Sequence, residues 1–415
     1  MKVSKSLFSI LFVVFIDYLG FGLIYPLFSA MLLDSSCPLL PMETSQSIRG
    51  LWLGVLFCLM PLFQFLTSSF WGSCSDRIGR KKPLIGSLCI GLLGYLTAFI
   101  GIVYYNLPLL LFSRVLIGCA AGNTSISLAA IVDVSTKETK TKNFGLYSMA
   151  FGAGFTLGPL LSGLATWNRS LPFFLASLLV LLNLLFTIFY FTETNNNLVL
   201  TKTHWIKGLT NISKAFSYKD LRILFLCSFL NYFGWYYFFE FAPLFLITRF
   251  QFSLVELSFF FGLSGAFYAL STGLLIRPLI RKYRPEMLFL QGLLWTALCV
   301  LFLPFIPQSF WLWPLLFLIC YFTSFTSPTS STLLSDAVSD SSQGEMLGIL
   351  NSVNTAAMIL SPLLSGACIG PHPGMPMWIG GSTLLLAAII YFFCSYKISA
   401  AKAASSERSV FSKKT

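Results

Sequence analysis

The chain has 415 residues, of which 56% are hydrophobic and only 10% charged, with a mean hydropathy of +0.79. A water-soluble fold has too little interior for so much apolar side chain, so lipid is the expected solvent. The net charge of +12 makes the placement of the basic residues the first question, before any nucleic acid is invoked.

A helix needs roughly 20 mostly apolar residues to cross a bilayer. In chain order such stretches fall at 6–33, 50–70, 83–105, 108–131, 143–166, 171–191, 221–248, 253–276, 286–305, 309–333, 345–369 and 376–396. The first is too long for a leader peptide and no small-residue cleavage site follows it. Twelve spans put both termini on one side. Of the 27 basic residues, only Arg49, Arg169 and Arg249 fall on the other side, and Arg114 lies inside a span. The positive-inside rule then places both termini in the cytoplasm, and the positive charge reads as topology aided by anionic lipid. The expected fold is all-α: a bundle over 1–191, a cytoplasmic linker over 192–220, a second bundle over 221–396 and a tail over 397–415.

The two bundles are expected to be copies of one unit. Gly158-Pro159-Leu160-Leu161-Ser162-Gly163 returns as Ser361-Pro362-Leu363-Leu364-Ser365-Gly366, and the same offset carries Asp133 onto Asp336 and Gly145 onto Gly348. Repeats packed about a central pathway are the usual build of secondary transporters.

Charges inside spans are rarely incidental. Asp17 falls near the midplane of the first span, where desolvation favours a carboxyl that takes up protons. Arg114 lies in the fourth span and has two possible carboxylate partners, Asp17 and Glu240 of the seventh. Glu240 stands in an aromatic run, Asn231-Tyr232-Phe233-Gly234-Trp235-Tyr236-Tyr237, suited to a cationic substrate. Asn231 and Trp235 share a helix face, as do Asn351 and Asn354; either pair lines a polar pathway or makes interhelical hydrogen bonds. The ten cysteines are scattered with no CxxC pair, and His204 and His372 are the only histidines, so no metal site is expected. No nucleotide-binding or nucleophile motif is visible, and no cofactor or enzymatic activity is expected.

The loop after the second span reads Gly72-Ser73-Cys74-Ser75-Asp76-Arg77-Ile78-Gly79-Arg80-Lys81-Lys82. Glycine suits close approach and a tight turn, and Arg80 offers a fork of donors to Asp76 or Asp133. This loop resembles motif A of the major facilitator superfamily, and the chain is similar to its drug/proton antiporter branch, particularly the tetracycline/proton antiporters. Asp17-Tyr18-Leu19-Gly20-Phe21-Gly22-Leu23-Ile24-Tyr25-Pro26 matches the first-helix pattern, Gln64 a second-helix glutamine, and Arg114 to Gly118 motif B. Gly154, Gly158, Pro159 and Gly163 match motif C, and Phe191-Thr192-Glu193-Thr194 the end of the sixth helix. The resemblance implies proton coupling through Asp17 paired with Arg114, a conformational latch of Gly72, Asp76, Arg80 and Asp133, and antiport. Gln64, Asn231, Trp235, Glu240, Asn351 and Asn354 are the candidate substrate contacts. Gly94 and Trp295 stand where tetracycline exporters carry aspartates, which argues against tetracycline as substrate. Pro278 replaces an aspartate in the second copy of motif A.

The expected function is proton-coupled efflux of a small amphipathic compound by a monomer in lipid. A proton-coupled importer is the alternative, and a non-transporting sensor is a further one that the short loops disfavour.

Overall fold

The computed structural model describes residues 5–34, 37–136, 139–195, 198, 207–219, 221–338, 342–367 and 372–411; of the basic residues that set the topology, Lys2, Lys137, Lys202, Lys413 and Lys414 lie outside them. Among the described residues every regular element is helical. In chain order these are α1 (Lys5–Leu33), α2 (Gln46–Ile78), α3 (Lys81–Val103), α4 (Leu107–Ala121), α5 (Thr124–Asp133), α6 (Lys140–Ser162), α7 (Leu171–Tyr190) and α8 (Lys207–Ser217). There follow α9 (Arg222–Phe250), α10 (Leu254–Leu270), α11 (Ile276–Lys282), α12 (Pro285–Phe302), α13 (Leu312–Ser335), α14 (Gln343–Ala367) and α15 (Met375–Phe411). Helices suit this composition because a chain in lipid must satisfy every backbone group internally.

Ten stretches are long and apolar enough to cross a membrane, and Leu7–Gly20 within α1 is a shorter apolar one. α4 and α5 form a single crossing, and a π-helical turn at Ser271–Leu275 joins α10 to α11. α9 has the length, 29 residues, about 43 Å of rise. Its asparagine, tyrosines, tryptophan and Glu240 lower its hydropathy. With α1 and α9 the spans number twelve in the order expected, and the chain is an integral, multi-pass membrane protein.

Local chemistry sets the helix ends. The Ser45 hydroxyl caps α2 at Ile48 N, and Asn106 caps α4 at Leu109 N, 2.9 Å away. Ser253 and Glu256 form a reciprocal capping box on α10, with Ser253 N donating to Glu256 Oε2 at 2.8 Å. Prolines lie inside the helices at paired places in the two halves, Pro26 with Pro243 and Pro159 with Pro362.

The chain forms two compact units. The first comprises Met1–Gly208, Phe239–Leu270 and Met358–Pro376; the second comprises Leu209–Phe238, Ser271–Ala357 and Met377–Thr415. Within the first, α1 and α6 meet backbone to backbone. A Cβ on Gly154 would stand 2.5 Å from the Phe15 carbonyl oxygen, and one on Gly22 2.8 Å from Pro159 Cδ. A Cβ on Gly158 would overlap the Leu19 carbonyl oxygen. Gly163 is different: a Cβ there meets Ser258 Oγ at an ordinary 3.6 Å. Its repeat counterpart Gly366 is the crowded one, pressed on Gly50 and Gly54 of α2. Small residues are how helices approach closely in lipid, where no hydrophobic drive brings them together.

In the second unit, Gly234 of α9 and Gly380 of α15 make a similar close contact. The linker is not plain loop there. Its helix α8 docks on α14, with Asn211 Nδ2 donating to Ser352 Oγ at 3.1 Å, Lys214 paired with Glu345, and Ala215 buried.

Arg49 reads from sequence only as one of three basic residues opposite the basic side. In the fold it is 1% exposed and donates to four backbone carbonyls: Thr44, Leu32, Asp34 and Pro41, at 2.8–3.2 Å. The planar fork of guanidinium is what lets one side chain reach all four, so Arg49→Lys should destabilise nearly as much as Arg49→Ala. Each orphaned buried carbonyl costs about 1–3 kcal/mol. Thermal unfolding in detergent should show both variants melting well below the wild type; a lysine variant with the wild-type melting temperature would refute this.

Candidate functional site

The sharp turn after α2 is built on Gly79, which has φ +89°, a conformation that side chains resist. It brings Arg80 back under the end of α2. The Arg80 Nη1 donates to Asp76 Oδ1 at 2.6 Å and to Ser75 Oγ at 2.7 Å, and its Nε donates to Asp133 Oδ2 at 2.8 Å. Asp76, Arg80 and Asp133 thus form the cluster expected from sequence. Gly72 joins it through its backbone alone, its carbonyl accepting from Ser75 Oγ at 2.8 Å. A Cβ at 72 would meet only Ser125, at 3.7 Å, so a methyl fits and the expected need for close approach there is absent.

Glu193 is the member that sequence reasoning missed, although its Phe191-Thr192-Glu193-Thr194 segment was in view. Its carboxylate accepts from Arg80 N at 2.7 Å and Lys81 N at 3.0 Å, capping α3, and from the amides of Thr194 and Asn195. Thr194 Oγ1 adds a bond to Asp133 Oδ2 at 3.2 Å. Partial burial pushes the Glu193 carboxyl up, but its four amide donors outweigh that and hold it below the usual carboxylate range. Burial likewise works against the Arg80 charge, and its bonds to Asp133 and Asp76 more than restore it.

A carboxyl held low in the fold stabilises above its unfolded range and loses that contribution as pH falls through the folded value. Wild-type stability should therefore fall more steeply than that of Glu193→Gln below about pH 4.5, the ordinary glutamate value. Melting temperatures across pH 3–7 test this, and parallel curves would contradict it.

Deeper in the same unit, Asp17 of α1 is partly buried and its Oδ2 accepts from Asn123 Nδ2 at 3.0 Å. Asn123 stands at the break between α4 and α5, which turns its amide toward α1. Side chains of α2 satisfy the carbonyls at that break: Trp71 Nε1 and Thr67 Oγ1 donate to Cys119 O, and Gln64 Nε2 donates to Ala121 O at 3.3 Å. Gln64 thus serves the backbone, a role its matched position in sequence does not disclose. Tyr18, next to Asp17, is hydrogen-bonded to Tyr147 and Thr124 and packs edge-on against Phe151 at 4.3 Å.

Arg114 is 2% exposed and its guanidinium lies 5.1 Å over the Phe28 ring. Phe28 follows Asp17 by eleven residues, about 16 Å along α1. The expected direct pairing of Arg114 with Asp17 is therefore not the arrangement seen; Asn123 holds the aspartate. The rings of Phe28, Phe57 and Phe241 follow one another at 6.5 and 6.4 Å, ending one residue from the buried Glu240.

The remaining candidates lie in the second unit. Asn231 is buried and donates to Thr326 Oγ1 at 3.3 Å, close to the bonded pair Thr296 and Thr323. Trp235 packs edge-on with Phe238 at 5.7 Å. On α14, Asn351 is exposed and Asn354 half-buried.

Twelve spans in two pseudo-symmetric six-helix bundles, with charges held inside them, define a polytopic membrane transporter. The sequence pattern of the Major Facilitator Superfamily matches residues 10–320 and 224–414, and the chain belongs to that family. It is 25% identical over 412 residues to the class C tetracycline resistance protein of Escherichia coli, covering 95% of this chain and 96% of that one. It is 26% identical over 401 residues to the quinolone resistance protein NorA of Staphylococcus aureus, covering 93% and 96%. Among solved structures, the human organic anion transporter MFSD10 (TETRAN) superposes with a TM-score of 0.70 at 20% identity, over 94% of this chain and 100% of that one. A D-xylose–proton symporter superposes at 0.71 with 18% identity, over 93% and 97%.

Proposed function

We propose that the chain is a proton-coupled exporter of a small amphipathic compound, resident in a bacterial inner membrane with both termini cytoplasmic. The observation that carries this reading is Asp17: an acid within a span whose bonded partner is the neutral amide of Asn123 rather than a fixed cation. A neutral partner suits both protonation states. Its N–H donates to the carboxylate, and the amide turned over accepts from the protonated acid. Proton entry at Asp17 then removes a charge from the span and biases which side the site opens to. The halves 1–191 and 221–396 are the bodies that move, and Asp76, Arg80, Asp133 and Glu193 latch the cytoplasmic ends of the first.

Export rather than import is supported by the drug-resistance relatives and by the tight seam of Gly154, Gly158 and Pro159 on α1. Substrate contacts are assigned to Glu240, Asn231, Trp235, Asn351 and Asn354. Inside-out vesicles with an acidic interior should accumulate a lipophilic fluorescent cation and release it when a protonophore is added. Accumulation that persists with the protonophore would rule out proton drive.

A further inference from the structure

Tyr95 is the residue that α1 is shaped to admit. It is 5% exposed on α3, and its hydroxyl presses on Gly20 so closely that a Cβ there would overlap it, with the ring Cζ only 2.9 Å away. Gly20 follows Asp17 by three residues, about 4.5 Å of helical rise. On its other side, α3 runs against α4 in a tight antiparallel register. A Cβ on Gly94 would meet Ile117, and one on Gly101 would meet Leu110. That register sets Tyr95 level with the turn of α4 that carries Arg114. The Tyr95 hydroxyl is in electrostatic range of both Asp17 and Arg114. Asp17 itself accepts from Asn123. Tyr95 thus packs on the turn of α1 after Asp17 and lies level with the turn of α4 that carries Arg114, two charges that do not meet directly. Tyr18 of α1 and Tyr147 of α6, bonded to each other, are further titratable groups on the Asp17 side. On the α7 side, Val180 faces this helix at Gly91.

We propose that Tyr95 is a positioning residue of the proton site, its hydroxyl linking the protonation state of Asp17 to the position of Arg114. A phenol donates one hydrogen bond and accepts others. With Asp17 ionised, the O–H turns toward the carboxylate and leaves its lone pairs to a guanidinium N–H. With Asp17 protonated, that polarisation ends and Arg114 settles on Phe28. The only proton that comes or goes is that of the Asp17 carboxyl, and the Tyr95 O–H bond is kept in both states. The small residue at 20 is what lets the hydroxyl reach this place.

The inference rests on Asp17 as the proton carrier, and the test separates the two. Full-length protein in liposomes is assayed for transport of a lipophilic fluorescent cation across a range of pH at fixed gradient. Tyr95→Phe keeps the ring on Gly20 and should shift the midpoint of the profile by about one pH unit and slow transport about tenfold, with probe binding and melting temperature unchanged. Arg114→Lys should move the midpoint in the wild type and leave it fixed in the Tyr95→Phe background. A wild-type midpoint in Tyr95→Phe, or equal shifts in both backgrounds, overturns the role of Tyr95. If Tyr95→Phe does not fold, a fluorotyrosine placed at position 95 acidifies the hydroxyl at nearly constant size, and an unmoved midpoint then overturns the role. A wild-type pH profile in Asp17→Asn instead removes the reading of Asp17, whatever Tyr95 does.

Discussion

Asp17→Asn is expected to abolish proton-driven transport while the protein still folds and still binds substrate. Asparagine is nearly isosteric with aspartate and can keep the bond to Asn123, so packing between α1 and the α4–α5 break is preserved. What it cannot do is exchange a proton. A pH difference of one unit supplies about 1.4 kcal/mol per proton, enough for about a tenfold substrate gradient. In the variant that gradient should collapse to one, leaving only downhill exchange. Uptake into inside-out vesicles with and without an imposed pH difference reads this directly, and a tenfold gradient in Asp17→Asn would be the contrary result.

Gly158→Ala is expected to remove the protein from the membrane. One added methyl would be driven into the Leu19 carbonyl oxygen and against Leu23 N at 2.9 Å. Both obstacles are helix backbone and cannot rotate away. Overpacking of this kind costs about 1–3 kcal/mol where side chains yield and more where they do not. Gly163→Ala, five residues on, meets only Ser258 at 3.6 Å and should be tolerated. Membrane abundance and melting temperature of the two variants compare them; equal behaviour would contradict the seam as the reason for the glycines.

The helix order was legible because lipid-facing spans must be apolar and about 20 residues long, a demand written in every segment. The weakest case, α9, still reads as a mostly apolar stretch over 221–248, although its asparagine and tyrosines lower its hydropathy. The cluster of Asp76, Arg80 and Asp133 was legible because opposite charges at neighbouring helix ends have few other partners. Glu193 was not, since a carboxylate capping a helix across 113 residues of chain leaves no local spacing to read. The same holds for Arg49, whose partners are backbone carbonyls and so carry no side-chain signature. Glycines are equally mute. Gly72, Gly158 and Gly163 all sit in motifs, yet only the neighbouring helix decides that Gly158 is crowded and the others are not. The partner of Arg114 depended on depth, and rise per residue alone could not place a long side chain. Arg114 lies over Phe28, and the rings of Phe57 and Phe241 lead from there to the stretch of α9 that carries Glu240. Transport measured in a double-mutant cycle should accordingly show coupling between Arg114→Ala and Glu240→Gln.

Simultaneous measurement of proton and substrate flux in liposomes tests proton-coupled export most directly. With purified protein and a pH-sensitive dye in the lumen, a downhill gradient of a lipophilic cation should drive protons the opposite way in the wild type. Asp17→Asn should move the cation with no proton signal. Opposed fluxes in both proteins would contradict the assignment of the proton to Asp17, and protons moving in the same direction as the cation would contradict antiport itself.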